Sequence, residues 1–353
     1  MRKVFQFLLL CCVVGFTSTA EAYVPEWAKH GPQGINFTNI APSPDGKIIA
    51  FEYTDNKEGK GPTGVGFVDL RSSKLTRVPN PPGRELRKPS FSYDGKNVLV
   101  GIGNPNIDSN QIAEVNLATL KVTPLTPEGP KGRVAPVYQP GTGKVLYVNG
   151  SGLYGLILLD PKTGTEKVIL NNKENGFGLI VKPFFIGQTE VLFEAIGPRN
   201  FEMQKRHALE LHLGPFASYQ LTFGGMPKLF SEAEEVKIKG TMLNGRGAFG
   251  YLSASKGGKE IVFMRVPSDQ PTVDGKIHRE LYKIDNDAVM QITDAQSTMM
   301  FSCVSYDGSI VTFVANITEP STFDLFIYDM KSGEIKPTNL LNKIRNDPAF
   351  ALR

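Results

Sequence analysis

Ser43-Pro44-Asp45-Gly46-Lys47-Ile48-Ile49-Ala50-Phe51 is the stretch on which the fold turns, because it comes back. It returns as Ser92-Tyr93-Asp94-Gly95-Lys96-Asn97-Val98-Leu99-Val100 and as Ser305-Tyr306-Asp307-Gly308-Ser309-Ile310-Val311-Thr312-Phe313. Looser copies are Gly143-Lys144-Val145-Leu146-Tyr147-Val148, Gly187-Gln188-Thr189-Glu190-Val191-Leu192-Phe193 and Gly257-Gly258-Lys259-Glu260-Ile261-Val262-Phe263. The repeated glycines lie 49, 48, 44, 71 and 50 residues apart, so one unit carries an insertion. Asp-Gly supplies the backbone conformation of a tight turn, and the β-branched and aromatic residues after it read as a strand. Each copy is therefore half of a hairpin.

A second motif interleaves with the first: a short apolar strand, an Asp or Asn, a turn, and another strand. Its copies are Phe67-Val68-Asp69-Leu70, Glu114-Val115-Asn116-Leu117, Leu158-Leu159-Asp160-Pro161, Leu211-His212-Leu213, Lys283-Ile284-Asp285-Asn286 and Ile327-Tyr328-Asp329-Met330. Gln220-Leu221-Thr222 and Gln291-Ile292-Thr293 read as closing strands. Helical periodicity is confined to Leu340–Arg345 and Ser231–Val236. Six units of two hairpins each describe an all-β, six-bladed β-propeller of four-stranded antiparallel blades. One blade cannot bury both of its faces alone, whereas six around an axis can.

The first 22 residues stand outside this pattern. A basic start, Met1-Arg2-Lys3, precedes the apolar run Val4–Phe16, and Ala20-Glu21-Ala22 is a small-x-small cleavage site. That order is a secretory signal. The run is shorter than the ~20 residues needed to span a bilayer. Export to a periplasm or beyond is the expectation, with cleavage after Ala22, and no membrane insertion afterwards. Cys11 and Cys12 leave with the signal, and Cys303 alone remains, read as a small buried apolar residue. No internal disulfide can then form, which suits a bacterial periplasm better than a eukaryotic surface. The net charge of +4 is close to balance and excludes a general attraction to nucleic acid. The triplets beginning at Asn36, Asn149 and Asn316 read as chance matches to a glycosylation site.

Ser-Pro-Asp-Gly-Lys followed by Ile-Ile-Ala-Phe resembles the signature repeat of TolB-like propellers. Tyr328-Asp329-Met330-Lys331-Ser332-Gly333 and the Gln-Leu-Thr pieces resemble the outer hairpin of the same blade. The resemblance runs from Phe37 to Thr338, with Tyr23–Asn36 as an N-terminal extension, an insertion at about 194–245 and a tail over 339–353. TolB proteins carry an α/β domain before the propeller; nothing here matches it. In that family the propeller engages a peptidoglycan-associated lipoprotein. The resemblance thus implies partner binding at the propeller surface, without assigning residues to it.

Catalytic signatures are sparse. Gly150-Ser151-Gly152 lacks the Gly-x-Ser-x-Gly elbow of a serine hydrolase. Of the four histidines, His30, His207, His212 and His278, the pair His207 and His212 fall on opposite faces of a strand. Asp45, Asp94 and Asp307, and Asp69, Asp160, Asp285 and Asp329, read as turn residues that bond nearby backbone amides. No metal or cofactor is expected. Basic residues just ahead of the turns, Arg87, Lys88, Arg133, Lys182 and Arg246, form a candidate ring of positive potential at one channel mouth. Such a ring fits a partner carboxylate or an anionic glycan. Trp27 and the charged runs at 201–207 and 231–239 are further candidates for partner contact. The expected function is an exported, non-enzymatic binding propeller. Its rival is a lyase or hydrolase acting on an anionic carbohydrate at the channel.

Overall fold

The computed structural model describes residues 35–55, 62–104, 107–129, 132–150, 153–198, 217–231, 235–238, 241–244, 250–265, 267, 272–273, 276–285, 288–319 and 322–351. Six four-stranded antiparallel sheets follow one another along the chain, each built from consecutive strands except in blade 5, where a hairpin of Thr272–Val273 with Lys276–Ile277 lies between the second and third strands. Blade 1 is Ile35–Pro42, Ile48–Asp55, Thr63–Asp69 and Leu75–Arg77; blade 2 is Glu85–Phe91, Asn97–Asn104, Ile107–Asn116 and Val122–Pro124. Blade 3 is Arg133–Tyr138, Val145–Asn149, Gly155–Asp160 and Thr165–Asn171; blade 4 is Leu179–Phe185, Glu190–Ile196, Ala217–Thr222 and Lys228–Ser231. Blade 5 is Gly250–Ala254, Ile261–Arg265, Glu280–Asp285 and Ala288–Gln291; blade 6 is Met299–Val304, Ile310–Glu319, Thr322–Asp329 and Ile335–Pro337.

The turns obey the chemistry of their residues. Ser43 Oγ accepts from the N–H groups of Lys47 (3.1 Å) and Ile48 (2.9 Å) and donates to Asp45 Oδ1 (2.8 Å). Ser92 with Asp94 and Ser305 with Asp307 repeat the arrangement. Asp69, Asp160 and Asp329 accept from the amides of the outer turns. Gly46, Gly95, Gly143, Gly258 and Gly308 all take positive φ between 66° and 77°. Gly187, in the loosest copy, does not.

Side chains alternate across each strand, so consecutive residues serve different neighbours. Val98 and Val100 pack toward blade 1, whereas Leu99 packs toward blade 3. Six buried apolar clusters result, one in each seam between adjacent blades. The seam between blades 6 and 1 closes the ring. Among the described residues no strand is exchanged there; instead the chain beyond the last blade packs into it. The helix Leu340–Arg345, expected from its periodicity, buries Leu340, Leu341 and Ile344, and Phe350 follows them into the same cluster. Arg77, on the outer strand of blade 1, donates to the carbonyls of Ala349 (3.0 Å) and Ala351 (2.8 Å).

Two expectations are corrected in the inserted region. Ser231–Val236 is not helical where it is described: Ser231 ends the outer strand of blade 4 and Glu235 begins a hairpin of Glu235–Ile238 with Thr241–Asn244. Pairing with a strand edge overrides the short helical pattern. Gln220-Leu221-Thr222 belongs to the third strand of blade 4, since Tyr219 pairs with Phe193 and with Leu229. Its turn carries Gly224-Gly225 where other blades carry Asp or Asn. The copy at Leu211–Leu213 lies outside the described residues.

Candidate functional site: the axial channel

The innermost strand of every blade carries a bulge. Three residues on it span two on its neighbour, as between Thr38 and Ala41, Arg87 and Ser90, Val181 and Phe184, and Met300 and Cys303. The residue at each bulge has a left-handed backbone: Asn39 (φ 43°), Lys88 (51°), Ala135 (50°), Lys182 (33°), Tyr251 (58°) and Phe301 (58°). Asparagine tolerates that region, but the other side chains cost of order 1–2 kcal/mol each there. The bulges turn the strand next to the axis and leave backbone N–H groups that side chains of the preceding blade satisfy.

Carboxylates do this in two places. Glu52, which pairs with Thr38 in blade 1, is 7% exposed. It accepts from Thr38 Oγ1 (3.0 Å), Asn39 Nδ2 (3.0 Å) and the backbone N–H of Lys88 in blade 2 (2.7 Å). Burial holds its pKa above the usual carboxylate range, although those donors and the charges of Lys88 and Arg87 oppose the shift. Glu194, at the equivalent place in blade 4, accepts from the N–H of Leu252 in blade 5 (2.8 Å). Between blades 5 and 6 hydroxyls take over: Ser302 Oγ donates to the carbonyl of Tyr251 (2.8 Å), and Ser253 Oγ accepts from Val304 N–H (3.0 Å).

The arc of blades 4 to 6 differs in character from that of blades 1 to 3. Lys182 Nζ reaches past blade 5 to the carbonyl of Ser302 in blade 6 (3.2 Å). The rings of Tyr251 and Phe301 meet with centroids 5.0 Å apart at 57°. Cys303 is half-buried rather than buried as expected, because the bulge at Phe301 turns this end of the strand toward the axis. Desolvation pushes its thiol pKa up, against the opposing pull of the Lys182 ammonium and Ser253. At the Asp-Gly end, Tyr93 of blade 2 and Tyr306 of blade 6 touch edge to face across the turn of blade 1, with centroids 4.6 Å apart. Asp307 N–H donates to the carbonyl of Pro44 (2.9 Å), so interlocked turns narrow this mouth.

The five expected basic residues divide. Lys88 and Lys182 hold equivalent bulge positions in blades 2 and 4. Arg87 pairs with Glu85 on its own strand. Arg133 lies in the seam of blades 2 and 3, donating to the carbonyls of Pro127 (2.9 Å) and Asn110 (3.3 Å) and to Glu166 Oε1 (3.4 Å). Arg246 lies outside the described residues, as do Trp27, His30, His207 and His212. His278 is buried 2.5 Å from Glu280 Oε1, and Glu280 also accepts from Thr293 Oγ1 (2.5 Å) and Gln296 N–H (2.7 Å). Among the described residues no group of three or more His, Cys, Asp or Glu is placed to hold a metal ion. Glu52, Tyr251 and Phe301 are absent from the sequence-based set. Counting back seven residues from the turn glycine would have found Tyr251 and Phe301, because Asn39 and Lys88 stand at the same offset.

No family model matches the sequence, and no curated protein matches it either. Solved structures do match in fold. TolB from Acinetobacter baumannii is 15% identical over 72% of this chain with a TM-score of 0.49, and the chain spans 54% of that protein. A putative TolB from Agrobacterium tumefaciens is 14% identical, with 77% and 86% of the two chains covered and a TM-score of 0.51. An oligogalacturonate lyase in complex with manganese is 15% identical, with 86% and 84% covered and a TM-score of 0.52. The fold is that of a TolB-like six-bladed propeller. Both binding proteins and enzymes share it, so function rests on the site. Among the described residues no helix is long and apolar enough to cross a membrane.

Proposed function

We propose that this chain is an exported, non-enzymatic binding propeller of the bacterial cell envelope that engages a protein or glycan partner through one channel mouth and the loops around it. One observation supports the reading above the others. In an antiparallel meander the connections alternate between the two ends of the ring. The turns at the Asp-Gly end are two to six residues long in every blade. Every long connection opens at the opposite end, including 197–216 and 232–249 around blade 4 and 266–279 in blade 5. A rigid ring with short turns on one face and long segments on the other concentrates loop surface where a partner can be met. Residues 1–22, with their signal pattern, support export, and Lys88 and Lys182 favour an acidic group on the partner. The test is capture of partners by residues 23–353 from envelope extract, alongside a turnover assay on anionic oligosaccharides. A stoichiometric partner supports binding; turnover without a partner supports the lyase or hydrolase alternative.

A further inference from the structure

The six bulge positions are equivalent in backbone but not in chemistry. On one arc stand Asn39, Lys88 and Ala135; on the other stand Lys182, Tyr251 and Phe301. Tyr and Phe are costly in a left-handed backbone, and nothing in the bulge itself requires an aromatic, since Ala135 makes the same bulge. Their rings touch each other, each packed on one side against a seam core, Tyr251 between blades 5 and 6 and Phe301 between blades 6 and 1, and each stays only partly buried. Lys182 bonds the carbonyl of Ser302, the residue next to Phe301, so its ammonium stands beside the aromatic pair. Among the described residues no carboxylate lies within ion-pair distance of Lys182, and none is placed as a hydrogen-bond partner of the Tyr251 hydroxyl. An ammonium has three donors, and Ser302 takes one.

We propose that the arc of Lys182, Tyr251 and Phe301 is a binding site, inside the channel, for a small organic carboxylate with a planar apolar body. The carboxylate takes the remaining donors of Lys182 and the Tyr251 hydroxyl, a charge-assisted pairing stronger than a neutral hydrogen bond. The planar body lies against the Phe301 and Tyr251 rings, which favour offset or edge contact with another ring. Acidity alone does not satisfy the arc, because its walls are apolar, and a neutral ring leaves the ammonium unanswered. The site shares Lys182 with the partner reading, but its test uses a small ligand and no partner, so the two fail separately.

The probe is benzoate, titrated into purified residues 23–353 by ligand-observed NMR, with acetate and benzyl alcohol as ligands that carry one feature each. Benzoate is expected to bind saturably at one site, at least ten-fold more tightly than either control. Lys182→Met is expected to weaken it about ten-fold, Tyr251→Phe several-fold, and Lys182→Arg little. Benzoate that binds no better than acetate and benzyl alcohol, or equally well to a folded Lys182→Met, overturns the proposal. If Lys182→Met does not fold, the unmodified chain decides. Saturating benzoate is expected to slow acetylation of Lys182, followed peptide by peptide by mass spectrometry, and an unchanged rate overturns the site.

Discussion

The ring of Phe350 lies over that of Phe51, centroids 6.3 Å apart and planes 21° from parallel. It occupies the place that a third-strand aromatic holds in three other blades. Phe193 stacks on Tyr219, Phe263 on Tyr282 and Phe313 on Phe326, each a cross-strand pair near 20°. In blade 1 the partner of Phe51 is Gly66, and the space it leaves is taken by a residue from beyond the last blade. Tyr53 Oη fixes the graft by donating to the carbonyl of Phe350 (3.3 Å).

Phe350→Ala is therefore expected to cost about 3–5 kcal/mol, the range for a buried phenylalanine, rather than the small effect of a terminal residue. Gly66→Ala is expected to destabilise as well, because its Cβ would stand 2.6 Å from Phe51 and 2.8 Å from Phe350. Denaturant unfolding of both variants measures this. Stability within about 0.5 kcal/mol of the unaltered chain for Phe350→Ala contradicts the role given to the tail.

Glu52 predicts a pH dependence of definite sign. Its pKa is raised on folding, so the native state binds more protons than the unfolded chain between the ordinary glutamate value and the raised one. Its contribution to stability is fully present below the unfolded pKa and is lost as pH rises through the folded pKa. Glu52→Gln removes that component. Thermal unfolding of the two proteins from pH 4 to 8 is expected to show a steeper fall with rising pH in the unaltered chain. Parallel curves contradict the assignment.

Asp45 shows the opposite sign on the surface. Lys47 above all, then Ser43 and the Lys47 amide, bring it down to about 2. A carboxylate depressed on folding stabilises above its unfolded pKa, and that contribution is lost as pH falls toward about 2. Carboxyl-resolved NMR titration is expected to find Asp45 near this value and to find it higher in Ser43→Ala. The same substitution removes two backbone acceptor contacts and is expected to cost about 1 kcal/mol.

Cys303 is expected to react slowly with iodoacetamide at pH 7.4, because desolvation keeps the thiolate of this half-buried side chain scarce. Lys182→Met removes the one charge that favours the thiolate and is expected to slow it further. Peptide-resolved alkylation rates check both directions; faster reaction in the variant contradicts the placement of Lys182.

The blades were legible because their signals are local. Asp-Gly turns and alternating strands repeat within each unit, and the structure returns them at the expected glycines. The insertion was misread where locality failed: the third strand of blade 4 follows residues 197–216, so Gln220-Leu221-Thr222 looked like a closing strand. Sequence shows the charges of Arg87 and Arg133 but not their partners, and the structure pairs them with Glu85 and Glu166. Tyr251 and Phe301 have no residue signature of their own, because a bulge built without glycine has none; only their fixed offset from the turn glycine marks them.

The most direct test of the binding account is affinity capture from envelope extract, comparing residues 23–353 unaltered with the Lys88→Ala/Lys182→Ala variant of verified fold. The account predicts one stoichiometric partner held by the unaltered chain and lost from the variant. A chain that holds no partner and instead turns over an anionic oligosaccharide would contradict it.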